Sequence, residues 1–276
     1  MSGGSREPGR SVASRVAALL AAFDAAHPRL TLAELAARGG QAPSTAHRLA
    51  AELVEAGLLG RTPDGRFHVG RRLWEIGQLL PSPLQEAAHP WMQDLHAATG
   101  ENVHLAVRDG DEVIYLDKVY GRRSVPIVSQ TGGRLPLHPT GVGRVLLAFQ
   151  PPAFVAAYLA RPLARPTPHT IVEPGRLARE LARIRERGYA RTSEEMTLGS
   201  CSLAAPVLVD GAPVAAVGIV AATHAARTLH RAVEPLLRTA AGIAAAYRDA
   251  GHGDAGHGDA APGPGGFDPP HTRSRR

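Results

Sequence analysis

The 276-residue chain has one cysteine, Cys201, and one lysine, Lys118. A single thiol excludes an intramolecular disulfide and a cysteine-built zinc site, and it fits a reducing cytoplasm. With lysine almost missing, the positive groups are nearly all guanidinium, which suits bidentate recognition of phosphate and guanine. A GC-rich coding bias would give the same composition. No apolar run reaches the roughly 20 residues that a membrane-spanning helix needs. The opening MSGGSREPGR also lacks the apolar core of a secretion signal. The expectation is a soluble, cytoplasmic protein with no membrane partner.

Charge of one sign is in excess, at a formal net +6. It does not locate a binding surface, because residues 1–80 and residues 81–250 each carry +3. It permits an anionic partner without requiring one. The length is enough for two domains with substantial cores.

Periodicity organises the first eighty residues. Val12, Val16, Leu19, Leu20 and Phe23 mark an amphipathic helix that Pro28 ends. In LTLAELAARGG, Thr31 and Glu34 have the spacing of a capping box, and Leu30 and Leu35 that of a hydrophobic staple. The short GGQA link then leads into PSTAHRLAAELVE from about Pro43. There Ala46, Leu49, Ala50, Leu53 and Val54 form the inward face. Two short helices joined by a tight glycine-containing turn predict a helix-turn-helix, whose second helix offers its first residues to the major groove. Arg48 then meets guanine or phosphate, Ser44 and Thr45 meet phosphate or bases, and Gln41 and His47 assist at the edge. The alternative is that Ser44 or Thr45 only caps the helix and Arg48 is solvated. LLGRTPDGRFHVG predicts a hairpin through a Pro-Asp-Gly turn, a wing with Arg61 and Arg66 beside its tip.

GRRLWEIGQLL predicts a linker helix broken at PSP, and a further helix extends to Gly100. From Asn102 the pattern becomes strands, with a turn at Arg108 to Asp111, a strand at Pro126 to Ser129, and a long hairpin through Asp210 and Gly211. Helices are predicted at about 141–150, 152–160, 174–187 and 228–249. The fold class is α+β, with hairpins and segregated helices. The expected domains are 10–70, a linker helix at 71–83, a ligand-sensing domain at 84–250, and a disordered Gly- and Pro-rich tail at 251–276.

Eight collinear stretches resemble the IclR family of bacterial transcriptional regulators: SVASRVAALLAAF, LTLAELA, STAHRLAAEL, GRFHVGRRLWEIG, TGENVHLAV, VIYLDKV, GGRLPLHPTGVGRVLLAF and GYARTSEEMTLGSCSLAAPVLV. The resemblance implies a winged helix-turn-helix joined by a linker helix to a GAF-like effector-binding domain, assembled as homodimers or homotetramers. It implies a double-stranded DNA operator and a small organic effector as partners, with repression as the default and no cofactor. It places the effector beside Gly141, Val142, Thr192, Ser202, Gly218 and Val220, with His138 and Cys201 at the edge. Carboxylate-binding members tend to have Asp, Cys, Ser and Ser where this chain has Thr192, Ser202, Gly218 and Val220. Those losses argue against a small dianion and for a larger or more apolar effector.

An enzyme or sensor whose first domain docks protein is the competing reading. Cys201 with thirteen histidines in the chain and the pair Glu194 and Glu195 could suggest a thiol hydrolase, but no spacing supplies its base. Glu194 and Glu195 fit a strand-turn pattern, His138 orders its loop, and His252 and His257 of the tail are at most incidental metal binders.

Overall fold

The computed structural model describes residues 11–24, 26–80, 82–120 and 130–252. The strand expected at Pro126 to Ser129 and nearly all of the expected tail lie outside the described residues. The described chain falls into two compact units, divided between Ser82 and Pro83.

The first unit opens with α1 (Val12–Leu20), then β1 (Arg29–Leu30), α2 (Leu32–Arg38) and α3 (Pro43–Glu55). At α2 the Thr31 hydroxyl accepts from the Glu34 amide, while the Glu34 carboxylate accepts from the Thr31 amide at 2.7 Å, so both halves of the capping box form. Leu30 and Leu35 are buried in one core with Leu19, Leu49, Leu53 and Phe67. A hairpin follows, β2 (Leu59–Arg61) and β3 (Phe67–Val69). Its tip is a Thr62–Gly65 turn, in which Gly65 takes a φ of +82° and Thr62 N–H donates to the Arg66 carbonyl at 2.8 Å. β1 pairs antiparallel with β3, giving a three-stranded sheet of order β1-β3-β2. The sequence reading missed β1 because two residues carry no periodicity. α4 (Arg71–Gly77) is shorter than the helix expected there and buries none of its residues.

The second unit contains α5 (Pro83–Thr99), β4 (Asn102–Asp109), β5 (Glu112–Val119), β6 (Arg134–Pro136), α6 (Gly141–Ala148), α7 (Pro152–Leu159), α8 (Pro174–Arg187), β7 (Ala190–Ser193), β8 (Ser200–Val209), β9 (Ala212–Ala222) and α9 (Val233–Tyr247). α9 starts later than expected: residues 229–232 form a 3-10 turn, and Pro235, which has no amide to donate, sits in the first α-helical turn. The strands form one antiparallel sheet, β6-β5-β4-β9-β8-β7.

Both faces of this sheet are covered, which is why β8 reads as a nearly unbroken apolar run. Alternate residues go to alternate faces. Val103, Leu105, Leu203, Val217 and Ile219 pack with Met92 of α5 and Leu236 and Ile243 of α9. Ala106, Tyr115, Ala204 and Ala216 pack with Val145 of α6 and Leu181 of α8. The residues beneath α6 are small, and this lets the helix approach closely. A Cβ on Gly141 would stand 2.5 Å from the Ser202 hydroxyl, and one on Gly218 would stand 2.8 Å from Val142 Cγ1.

Candidate nucleic-acid interface and ligand pocket

α3 begins without a side-chain cap. Its N-cap is Ala42, Pro43 occupies the first helical position, and Ser44 and Thr45 follow at the second and third. The capping alternative for these hydroxyls therefore fails. Ser44, His47 and Arg48 are exposed and Thr45 is half-buried, while Ala46, Leu49, Ala50 and Leu53 hold the other face in the core. The helix thus offers hydroxyls, a cation and its own N-terminal dipole on one accessible end, a combination that favours phosphate. Arg48 Nη1 donates to Glu52 Oε1 at 2.7 Å, and both side chains are more than half exposed. An exposed i,i+4 pair contributes about 0.3–0.5 kcal/mol, so Arg48 is readily drawn away.

Gln41 corrects the sequence reading. Its Nε2 donates to the Arg15 carbonyl at 2.7 Å and its Oε1 is buried, so its amide ties the approach to α3 onto α1 and is not turned toward a groove. In the wing, Arg61 is exposed, donates to the Gly65 carbonyl at 3.2 Å and lies 5.4 Å from the Phe67 ring centre. Arg66 sits between two carboxylates, Asp64 at 3.3 Å and Glu34 at 3.9 Å, so much of its charge is already answered. Arg29, missed in the sequence with its strand, is exposed on the wing sheet opposite His68.

The second unit holds a partly open pocket between the sheet and the start of α6, about 530 Å³ with the open solvent at its mouth included. Gly141 and Val142 come from α6, Thr192 from β7, Ser202 from β8, and Gly218 and Val220 from β9. Register brings the strand residues together, because Thr192 pairs with Ser202, and Ser202 with Val220. The Thr192 and Ser202 hydroxyls are 2.6 Å apart. Met196 and Thr197, in the loop after β7, also line the pocket, as do Leu135 and Pro139.

His138 is placed differently. It is buried but does not line the pocket, and its ring meets the Tyr158 hydroxyl at 2.9 Å and the Ala164 carbonyl at 2.8 Å. It orders the segment before α6 instead of touching a ligand, and burial lowers its pKa. Cys201 borders the cavity, but its neighbours in alternation face α6 while it packs among the residues beneath α5 and α9. Its Sγ donates to the Ala222 carbonyl at 3.4 Å, and burial raises its pKa, the reverse of what a thiol nucleophile needs.

His104 was overlooked. It lies on β4 opposite Gly218, lines the pocket, and meets Tyr115 edge to face with centroids 5.4 Å apart. Burial foremost, with Lys118 nearby, pushes its pKa down to about 3, so the ring is neutral. The available signal was alternation: Asn102, His104 and Ala106 share one face of β4. Glu195 also lines the pocket, fastened from behind. Arg144 Nη1 donates to Glu195 Oε1 at 2.8 Å, its Nη2 to Oε2, and the Ile171 amide to Oε2 at 3.2 Å. Arg144 Nε and Nη2 also donate to the His138 carbonyl, at 2.9 and 2.7 Å.

A winged helix-turn-helix followed by a separate sheet-and-helix unit with a pocket defines a ligand-responsive DNA-binding regulator. Residues 12–63 match the IclR helix-turn-helix domain, and residues 78–245 match the bacterial transcriptional regulator IclR C-terminal domain. The chain belongs to the IclR family. It is 32% identical over 192 residues to the HTH-type transcriptional regulator KipR of Bacillus subtilis, covering 68% of this chain and 77% of that one. It is 32% identical over 197 residues to the transcriptional repressor IclR of Escherichia coli, covering 69% and 72%. An IclR homologue from Microbacterium hydrocarbonoxydans, solved with 4-hydroxybenzoate, superimposes with a TM-score of 0.80 at 30% identity, covering 87% of this chain and 100% of that one. The Thermotoga maritima IclR structure gives 0.67 at 31% identity, covering 84% and 97%. No helix among the described residues is long and apolar enough to cross a membrane.

Proposed function

We propose that this protein is a transcriptional repressor acting in the cytoplasm. As a homodimer, or a pair of such dimers, it binds a two-fold operator through α3 and the wing and changes its DNA affinity when a small organic effector fills the pocket. The observation carrying this reading is the uncapped start of α3, where Ser44, His47 and Arg48 are exposed on a helix whose opposite face is locked in the core. Ser44, Thr45, His47 and Arg48 contact bases and phosphates, with Arg61 and Arg66 on the flanking backbone. The repressor name of the Escherichia coli relative supports the direction of control, which needs only occupancy of a promoter. The 4-hydroxybenzoate in the Microbacterium structure supports an effector of aromatic size beside Val142, Thr192, Ser202, Gly218 and Val220. No catalytic step is assigned.

Effector control requires different effector affinities for the DNA-competent and DNA-incompetent arrangements. The test is titration of the purified protein onto a labelled fragment from beside its own gene, and onto a scrambled fragment, at several salt concentrations. Selective binding that weakens steeply with salt is expected. Arg48→Ala is expected to cost about 1–3 kcal/mol of specific binding with the fold intact. Unchanged binding by that variant would refute the assignment of α3 to the groove.

A further inference from the structure

Residues 194–199 join β7 to β8, and Glu194 opens that loop with a φ of +55°. This is the left-handed region, where a Cβ crowds the backbone and which residues other than glycine and asparagine seldom occupy. Among the described residues Asp210 is the other side-chain-bearing residue with positive φ, and its place accounts for it. It precedes Gly211 in the two-residue turn between β8 and β9, where the twist of a hairpin calls for positive φ. Glu194 sits in no such turn. Strain that no turn requires persists where the surroundings over-determine it.

The conformation bears on the pocket in two ways. Strand alternation would put Glu194 on the same side as Thr192, toward the cavity. The left-handed step breaks the alternation: Thr192 lines the pocket, Glu194 does not, and Glu195, Met196 and Thr197 line it in succession. The Glu194 side chain instead spans the neck of the loop. Its Oε1 accepts from the Gly199 amide at 2.8 Å, while its own amide donates to the Ser200 carbonyl at 2.7 Å. His169 Nε2 stands 3.8 Å from Glu194 Oε2 and is more than half exposed, so it adds little.

Other contacts fasten the two ends of the loop separately. Thr167 Oγ1 donates to the Glu194 carbonyl at 2.5 Å, Thr170 Oγ1 to the Glu195 carbonyl at 2.7 Å, and Arg144 holds the Glu195 carboxylate. At the far end the Gly199 carbonyl accepts from the Thr223 amide at 3.0 Å, and the Ser200 hydroxyl donates to the Thr197 carbonyl at 2.7 Å. Glu194 supplies the side chain that ties one end to the other.

We infer that Glu194 is a positioning residue for effector binding: it holds a strained backbone so that its carboxylate closes the loop and Glu195, Met196 and Thr197 stand as a preformed wall of the pocket. This rests on the effector-pocket reading above and adds the residue that readies the site. A preformed wall favours affinity, since binding need not order it.

The test sets full-length Glu194→Gly and Glu194→Gln beside the unmutated protein. Glycine removes both the strain and the carboxylate, whereas glutamine keeps an oxygen for the Gly199 amide. Amide hydrogen exchange by mass spectrometry reads peptides across residues 193–201, and thermal unfolding reads the fold. In Glu194→Gly the loop is expected to exchange about tenfold faster, through loss of one hydrogen bond to a charged acceptor. Its melting temperature is expected to hold or rise, because released strain offsets the freer unfolded chain. Glu194→Gln is expected to exchange within about threefold of the unmutated protein, since a neutral acceptor keeps part of the bond. Benzoate, 4-hydroxybenzoate and benzamide, each titrated to millimolar concentration by calorimetry, read the site. Whichever of them binds is expected to lose about tenfold in affinity in Glu194→Gly and less than about threefold in Glu194→Gln.

Unchanged exchange in Glu194→Gly, or probe affinity equal to that of the unmutated protein, overturns the inference. So does a melting temperature that falls as exchange rises, which would make Glu194 an ordinary fold contact. The pocket reading fails by a different sign: none of the three molecules alters loop exchange or operator binding in the unmutated protein. The exchange and melting comparison of the variants still decides the role of Glu194 in that case.

Discussion

Glu195→Gln is the most demanding perturbation of the second unit. Arg144 is 1% exposed and the Glu195 side chain 8%, so each charge depends on the other for compensation. The amide keeps nearly the shape of the carboxylate, but it removes the negative charge and turns an NH₂ toward a guanidinium. Breaking a buried pair from one side costs about 3–5 kcal/mol, because the remaining charge is stranded. At roughly 2–4 °C per kcal/mol for a unit of this size, the melting transition of the second unit is expected to fall by about 6–20 °C. Scanning calorimetry is the proper assay, since two units need not melt as one. The apolar pair Arg144→Met/Glu195→Leu is expected to recover part of the loss, because it removes both desolvation costs while leaving the His138 carbonyl and Ile171 amide without those partners. A loss under about 1 kcal/mol in the single variant, or a double variant as costly as the two singles summed, would refute the interdependence of the pair.

Thr31→Ala removes one arm of the capping box and is expected to destabilise the first unit by about 1 kcal/mol, measured by urea titration of residues 11–82 against the same segment unmutated. Gly218→Ala places a methyl 2.8 Å from Val142 Cγ1, and about 1–3 kcal/mol of overpacking is expected together with weaker effector binding. His104 gives a pH signature. Its folded pKa of about 3 lies below the ordinary 6.5, so the unfolded chain takes up the proton first. The stability it permits is complete above about pH 6.5 and is lost as pH falls from there toward 3. His104→Gln is expected to flatten that part of the profile, and an unchanged slope by urea titration would count against a buried neutral ring. Gln41→Ala is expected to lower the stability of the first unit without changing the salt dependence of operator binding, in contrast to Arg48→Ala.

The sequence by itself was sufficient for the helices of the first unit, because capping spacing and apolar periodicity are local. Thr31 with Glu34, and the inward stripe from Ala46 to Leu53, needed no partner to be recognised. The central hairpins were legible for the same reason, through alternation and turn residues. β1, β6 and β7 were missed because each is four residues or fewer, too short to show a period, and forms only where a neighbouring strand offers its edge. Gln41 reads as an exposed amide until α1 supplies the Arg15 carbonyl. His138 and Cys201 lie close in sequence to pocket residues, yet the His138 ring is taken by the Tyr158 hydroxyl and the Ala164 carbonyl, and Cys201, at the border of the cavity, packs with the core beneath α5 and α9, one residue of offset along β8 from Ser202. The charge state of the pocket was the least legible feature. It depends on Arg144 meeting Glu195 across 51 positions and on the burial that keeps His104 neutral. Periodicity is written into neighbouring residues, whereas desolvation and long-range pairing come into being only when distant segments exclude water together.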